Sequence, residues 1–349
     1  MKICFLFPRL DISFKNFGGA VPEQIGEPNH PIRMFWNDFR TRIIPVLEHA
    51  GHDVHVMIKP MWEITPEFVQ GLNDDRDEED RFDLFLVPHK ERQNFNVWPT
   101  PVLYYMQMVY PWTFSIDPAG WLSSAFHWPI KPKDHDEHPR YDELLTLAGR
   151  NISKFEQPTL GNESALPDKY LFLPLQLPHD ENIILHSSVS MAQAIHATLG
   201  FGTTLNIPVV VKPHPINPAA MQDMRKVFDF FANPEYHYWI DNVSVHDCIE
   251  NSEAVFTVNS GVGMETIMHN KPLFSFGESE YDEVSHELRH YDSIVIEDLY
   301  GEKDKYLPKY KDFIETWCET HYSTKHPDTF DKLNALVSAT RLLYKAVNH

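Results

Sequence analysis

Short apolar runs bounded by polar or turn-forming residues recur along most of the chain, alternating with segments of helical period. In the first third, residues 3–7 predict a strand. Residues 33–50 predict a helix, interrupted at Pro45 and closed by Gly51, and 53–58 a second strand. After an acidic stretch at 74–81 come two continuous apolar runs, 83–87 and 101–106, of the kind buried in parallel sheets. Strand, helix, Gly-His, strand is a βαβ opening, so this part predicts one doubly wound sheet. The pattern breaks between 111 and 167, where prolines, tryptophans and the polar run 131–140 leave only a short helix at 141–147. That region reads as the rim of the first domain and a linker.

From Lys169 the alternation returns more cleanly. Strands are predicted at 170–173, 208–212, 236–240, 254–258 and 272–276, and helices at 187–199, 221–231, 244–251 and 263–269. Two helical segments in 306–348 are expected to pack back across the lobes. The fold class predicted is α/β of GT-B type. Two Rossmann-like domains, 1–165 and 166–305, face an interdomain cleft, with C-terminal helices in 306–349.

Composition narrows the picture. At 349 residues there is room for two cores. With 42% hydrophobic and 23% charged residues the chain is that of a globular protein, and no run approaches the roughly 20 apolar residues of a membrane span. Residues 1–8 read as a strand without the basic region or cleavage site of a secretory signal, so the mature protein is expected to start there. Three cysteines, Cys4, Cys248 and Cys318, lie far apart with no CxxC spacing. They predict reduced thiols and a cytoplasmic location. Thirty basic against 50 acidic residues, a formal charge of −20, would repel nucleic acid and anionic lipid. A small anionic ligand is not excluded, because a pocket can be locally positive, and docking on a membrane-bound assembly stays open.

Candidate chemistry gathers at three strand ends. The run Val209–Val210–Val211 stops at Lys212, Pro213, His214 and Pro215, at the end of a strand where open α/β sheets bind ligands. A fixed His and Lys there can neutralise a departing phosphate, or the His can merely cap a nearby carbonyl. A second strand runs into Asn259, Ser260, Gly261, Val262 and Gly263 and then a helix carrying Glu265. The glycines would let backbone approach a ligand, and the helix start would offer N–H groups to a phosphate. Glu265 would accept from ribose hydroxyls or simply complement the helix dipole. A third strand leads through Gln176 to Asp180, a nucleophile or base, or else a helix cap.

Together, "FLPLQLPHD", "VVVKPHP" and "AVFTVNSGVGMETIMHNKPLFSFG" resemble the capsular-polysaccharide synthesis proteins that include retaining β-Kdo transferases. The resemblance covers about 169–281. It implies that Gln176 and Asp180 form the family's Gln-x-x-x-Asp motif and that Lys212, His214 and Pro215 form its His-Pro motif, both facing the interdomain cleft. It also implies a CMP-activated 3-deoxy-2-ulosonic acid (Kdo) as donor and a glycan or glycolipid as acceptor. Asp180 would be the nucleophile, His214 would contact the CMP phosphate, and Ser260 and Glu265 would hold CMP. After Gly277 the chain continues Glu-Ser-Glu-Tyr-Asp, where family members often carry a tryptophan- and glycine-rich segment.

Tyr104, Tyr105, Gln107, Trp112, Trp121 and Trp128 are candidates for stacking on a sugar, although such aromatics are more often core. Neither cofactor nor catalytic metal is expected. The run 134–138, Asp-His-Asp-Glu-His, reads as a solvated loop, His286 and His290 lack an intervening HExxH glutamate, and Asp-x-Asp at 75–77 and 134–136 follows no buried strand. A nucleotide-diphosphate-sugar transferase and a non-catalytic binding protein of the same fold remain the alternatives.

Overall fold

The computed structural model describes residues 1–9, 31–60, 63–88, 101–108, 113–117, 130–161, 166–215, 217–288, 307–323 and 328–347. The chain divides into two compact units, Met1–Trp128 with Thr320–His349, and Pro129–Glu319.

In the first unit, strand β1 (Lys2–Pro8) is apolar and buried from Ile3 onward. Helix α1 (Pro31–His49) follows and then strand β2 (Asp53–Lys59). The helix passes through Pro45 instead of stopping there. Its end is set by Gly51, which takes the left-handed region at φ 81, while the His52 amide donates back to Leu47 O at 3.2 Å. Helix α2 (Pro66–Asp74), unforeseen in the sequence, is capped by Thr65, whose hydroxyl accepts from the Phe68 amide. Strands β3 (Leu84–Pro88) and β4 (Val102–Gln107) complete a parallel run β2-β1-β3-β4.

Strand β5 (Thr113–Asp117) departs from the expected parallel sheet. Only residues 108–112 separate it from β4, too short for a crossover, and it pairs antiparallel. Strand β12 (Tyr322–Ser323) adds to β5, also antiparallel, and helix α10 (Thr329–Val347) belongs to this unit.

The second unit opens with helix α3 (Pro139–Gly149) and strand β6 (Leu171–Pro174). Helices α4 (Glu181–His186) and α5 (Met191–Leu205) follow, then β7 (Val209–Lys212), α6 (Pro218–Phe231) and β8 (His237–Trp239). Helix α7 (Val245–Glu250), β9 (Ala254–Thr257), α8 (Val262–Met268), β10 (Leu273–Ser275) and β11 (His286–Glu287) lead to helix α9 (Leu307–Thr320). The helix expected at 187–199 is α5, which starts and ends later, and α4 lies wholly before it. A capping box at Ser190, with Gln193 returning a bond to the Ser190 amide at 2.8 Å, starts α5 only at Met191.

This sheet is wholly parallel, in the order β8-β7-β6-β9-β10-β11. Counted from β6, that is the 3-2-1-4-5-6 order of a Rossmann domain, whose chain direction reverses between β6 and β9. Strands β6, β7 and β9 are buried at every position, as their apolar runs demand, with Lys212 and Thr257 as the polar last residues of β7 and β9. Leu171, Leu173, Val209, Val211 and Phe256 join Ile195, Leu199 and Met224 in one apolar cluster.

Contacts place residues 130–161 in the second unit, where the sequence suggested a rim and linker of the first. Tyr141 of α3 donates to Met268 O at 3.0 Å, and the Glu315 carboxylate accepts from the amides of Arg140 and Tyr141 at 2.7 and 2.9 Å. The boundaries therefore fall at 128/129 and 319/320 rather than at 165/166 and 305/306.

Candidate active site

Strands β6 and β9 end side by side at the reversal point of the sheet, and the residues that leave them are bonded to each other. Gln176 Nε2 donates to Asn259 Oδ1 at 3.0 Å, and the Asn259 amide donates to Gln176 Oε1 at 3.0 Å. Asn259 Nδ2 in turn donates to Asn182 O at 2.7 Å, in the first turn of α4. Both side chains are buried, so each polar group needs these partners. Asp180 is the N-cap of α4, its Oδ1 accepting from the Asn182 amide at 3.0 Å. The capping use of this carboxylate is thus present, and it fixes one of its oxygens.

At the end of β7, Lys212 is buried and its ammonium donates to Val243 O at 2.7 Å and Asp241 O at 3.4 Å. Burial lowers its pKa, against the negative charge of Asp241. The lysine thus ties down the loop after β8. His214 is half-buried; its amide donates to Met221 Sδ at 3.2 Å, and Phe155 meets its ring edge-on with centroids 5.3 Å apart. Pro215 is exposed.

The turn after β9 is closed on itself. Thr257 Oγ1 accepts from the Ser260 amide at 3.1 Å, Ser260 Oγ from the Val262 amide at 3.2 Å, and Ser260 O from the Gly263 amide at 2.9 Å. The Met264 amide donates to Gly261 O at 3.0 Å. The N–H groups of residues 262–264, expected to face a phosphate, are therefore used within the turn. Gly263 also has a different reason from the expected one: a Cβ there would fall on Tyr281 ring carbons and 2.7 Å from the Tyr281 hydroxyl oxygen. Absence of a side chain lets Tyr281 lie over the turn, its hydroxyl donating to Ser260 O at 2.8 Å.

Glu265, one turn on, is 2% exposed, and its Oε1 has no hydrogen-bond partner among the described residues. Burial raises its pKa, opposed by His246, a hydrogen bond from Ser153 and the charge of Lys154. An unsatisfied buried oxygen costs about 1–3 kcal/mol, a cost that a hydroxyl-bearing ligand would relieve.

Ser153 and Lys154 lie in the region that the pattern left as a linker. Asn151 ends α3 in the left-handed region at φ 60, and its Oδ1 accepts from Ser244 Oγ at 2.5 Å. Ile152 O faces His246 Nε2 at 3.2 Å, and Gln157 Oε1 accepts from the Val245 amide at 3.0 Å. Pinned along the start of α7, the segment holds Lys154 within the electrostatic reach of Asp180 and Glu265. Burial pulls its ammonium below the ordinary lysine value, and the two carboxylates pull it back up. The Asn at the helix end was a readable signal for the turn; nothing local announced the partners.

The remaining candidates fall elsewhere. Tyr104 and Tyr105 are core residues, Tyr105 donating to Leu6 O at 2.9 Å, so they present no sugar platform. Trp112, Trp121, Trp128, His290 and the side chain of Gln107 lie outside the described residues. The run at 134–138, read as a solvated loop, is clamped on α9, with His138 Nε2 2.9 Å from Asp312 Oδ1 and His135 Nε2 3.1 Å from Thr316 Oγ1. Among the described residues no three His, Cys, Asp or Glu side chains are grouped to hold a metal, and no helix is long and apolar enough to cross a membrane.

Two α/β units, one with a mostly parallel sheet edged by two antiparallel strands and one wholly parallel, Rossmann-ordered and gathering polar groups at its reversal point, are the architecture of the GT-B class. Residues 134–284 match the family model of capsule polysaccharide biosynthesis proteins, so the resemblance carried by the three motifs holds. Capsule polysaccharide export protein KpsS of Escherichia coli is 25% identical over 132 residues, 36% of this chain and 33% of that protein. The match spans about a third of that relative's length. Among solved structures, the Thermosulfurimonas dismutans KpsC β-Kdo 2,7 transferase aligns with a TM-score of 0.52 at 14% identity, covering 95% of this chain and 98% of that one. The β-Kdo 2,4 transferase of the same KpsC gives 0.44 at 15% identity, covering 73% and 84%.

Proposed function

We propose that this chain is a glycosyltransferase of capsule synthesis, moving Kdo or a related ulosonic acid from a CMP-activated donor to a glycan or glycolipid acceptor, with retention and without a metal. The family match and the GT-B architecture support the class of activity. The observation that carries the chemistry is the Gln176–Asn259 pair at the carboxyl ends of β6 and β9, bonded through Asn182 to the turn that Asp180 caps.

In this reading a carboxylate oxygen of Asp180 attacks the anomeric carbon of the donor. The bond from that carbon to the phosphate oxygen breaks, and its electron pair leaves on CMP, whose phosphate meets His214. An acceptor hydroxyl then attacks the sugar ester from the face CMP has left, giving its proton to a phosphate oxygen and regenerating the carboxylate. Two inversions amount to retention. The orphaned Glu265 oxygen accepts from the ribose hydroxyls of CMP.

Asparagine caps a helix as well as aspartate does. Asp180→Asn should therefore keep the fold and CMP-induced thermal stabilisation while losing transfer and the sugar–protein adduct seen by mass spectrometry. Full transfer by that variant, or protection by UDP or GDP and not by CMP, would overturn the reading.

A further inference from the structure

We propose that Asn259 is a positioning residue: it sets the place of the Asp180 carboxylate through the main chain of Asn182, rather than holding the nucleotide. This rests on the reading of Asp180 as nucleophile.

Gln176 and Asn259 each stand two positions beyond the last residue of a strand, β6 and β9. An amide side chain carries an acceptor at one end and donors at the other, and here the main chain fixes which way each points. The Asn259 N–H can only donate, so it selects Gln176 Oε1. That turns Gln176 Nε2 to Asn259 Oδ1, and Asn259 Nδ2 to Asn182 O. Reversing either amide would set oxygen against oxygen and donor against donor. Both side chains are buried, and both ends of Asn259 are spent on the protein's own groups.

Asn182 is held at both of its main-chain groups. Its carbonyl accepts from Asn259 Nδ2 at 2.7 Å, and its amide donates to Asp180 Oδ1 at 3.0 Å. A shift of residue 182 therefore carries the carboxylate with it. Helix α4, which begins here, has six residues, too few to keep its shape alone. Its place on the sheet comes from ties at its two ends. At the far end the Glu278 amide donates to His186 O at 2.8 Å, and Gly277 packs so closely that a Cβ would lie 2.9 Å from Ser187 Cβ. At the near end the Ile183 and Ile184 amides return to Asp180 O at 3.0 and 3.1 Å, bonds inside the turn that add no hold on the sheet. Asn259 supplies that hold, from the end of a central strand.

The test uses the full chain and its Asn259→Leu and Asn259→Asp variants. For Asn259→Leu, kcat counted per CMP-binding site should fall about 100-fold, the penalty of a misplaced reacting group, with KM and CMP affinity within about threefold of the parent. In Asn259→Asp the protonated acid still donates to Asn182 O and accepts from Gln176, whereas the carboxylate only accepts. The ratio of its kcat to the parent's should therefore fall from near parity in acid toward the leucine value as pH rises. His179 before Asp180, Lys154 within its electrostatic reach, and His186 with Glu278 at the far end of α4 are common to all three proteins and cancel in the ratio. Loss of CMP affinity in place of kcat, a leucine variant as active as the parent, or a ratio that does not change with pH would each overturn the proposal.

A second measurement needs no turnover. Hydrogen exchange of the Asn182 amide should quicken at least about tenfold in Asn259→Leu relative to the amides of β6 and β9. Unchanged protection would refute the positioning role. Asn259→Asp carries both readouts if the leucine variant does not fold. Faster exchange at Asn182 in a protein that transfers no sugar would instead refute the transferase reading alone.

Discussion

Alanine at position 263 sets two energies against each other. In a helix, alanine is favoured over glycine by about 1 kcal/mol. Here the added methyl would strike the ring of Tyr281, which is 3% exposed and held by its hydroxyl bond to Ser260 O. A ring so enclosed cannot swing into solvent without cost. Overpacking of this kind costs about 1–3 kcal/mol, and losing the hydroxyl bond about 1 kcal/mol more. The net expectation for Gly263→Ala is a loss of about 1–3 kcal/mol, against a gain if propensity decided alone. Calorimetric unfolding of Gly263→Ala, Tyr281→Leu and the double variant measures it. In the leucine background the alanine should be neutral or stabilising, giving a coupling of at least about 1 kcal/mol. Equal costs in both backgrounds would refute the argument and return Gly263 to the role first expected of it, close approach of backbone to a ligand.

Gln176→Leu should cost about 2–4 kcal/mol in the same assay, because it strands the Asn259 amide and Oδ1 in a buried site; a change below about 0.5 kcal/mol would contradict the clamp. Burial pushes the Glu280 carboxyl from 4.5 up to about 7, against a hydrogen bond from Trp317 Nε1. The folded protein then keeps a proton that the unfolded chain has lost, so this contribution is full below pH 4.5 and fades as pH rises through 7. Glu280→Gln should remove that part of the fall in Tm over this interval, and an unchanged slope would place the titration elsewhere.

Much of the second unit was legible before any coordinates. The runs at 170–173, 208–212 and 254–258 are strands because a nearly continuous apolar stretch, broken only by Lys212 and Thr257, suits a strand buried on both faces. Strand ends in an open α/β sheet are where ligands sit, so Gln176, Asp180, His214 and Glu265 could be named from local sequence. Strand β5 was not legible, because its antiparallel pairing follows from a short connection and from a partner, β12, some 200 residues later. The purpose of Gly263 was hidden for a similar reason: Tyr281 lies 18 positions on, beyond β10.

The chain's own order of residues thus determined the α/β alternation, the three strand-end motifs and their family, since each depends on neighbours a few positions apart. Only the tertiary structure decided which unit owns residues 130–161, that Lys212 serves a loop, and that Gln176 and Asn259 clamp each other at the ends of β6 and β9. Burial and charge act through space, and the groups that set them are brought together by folding from distant parts of the sequence.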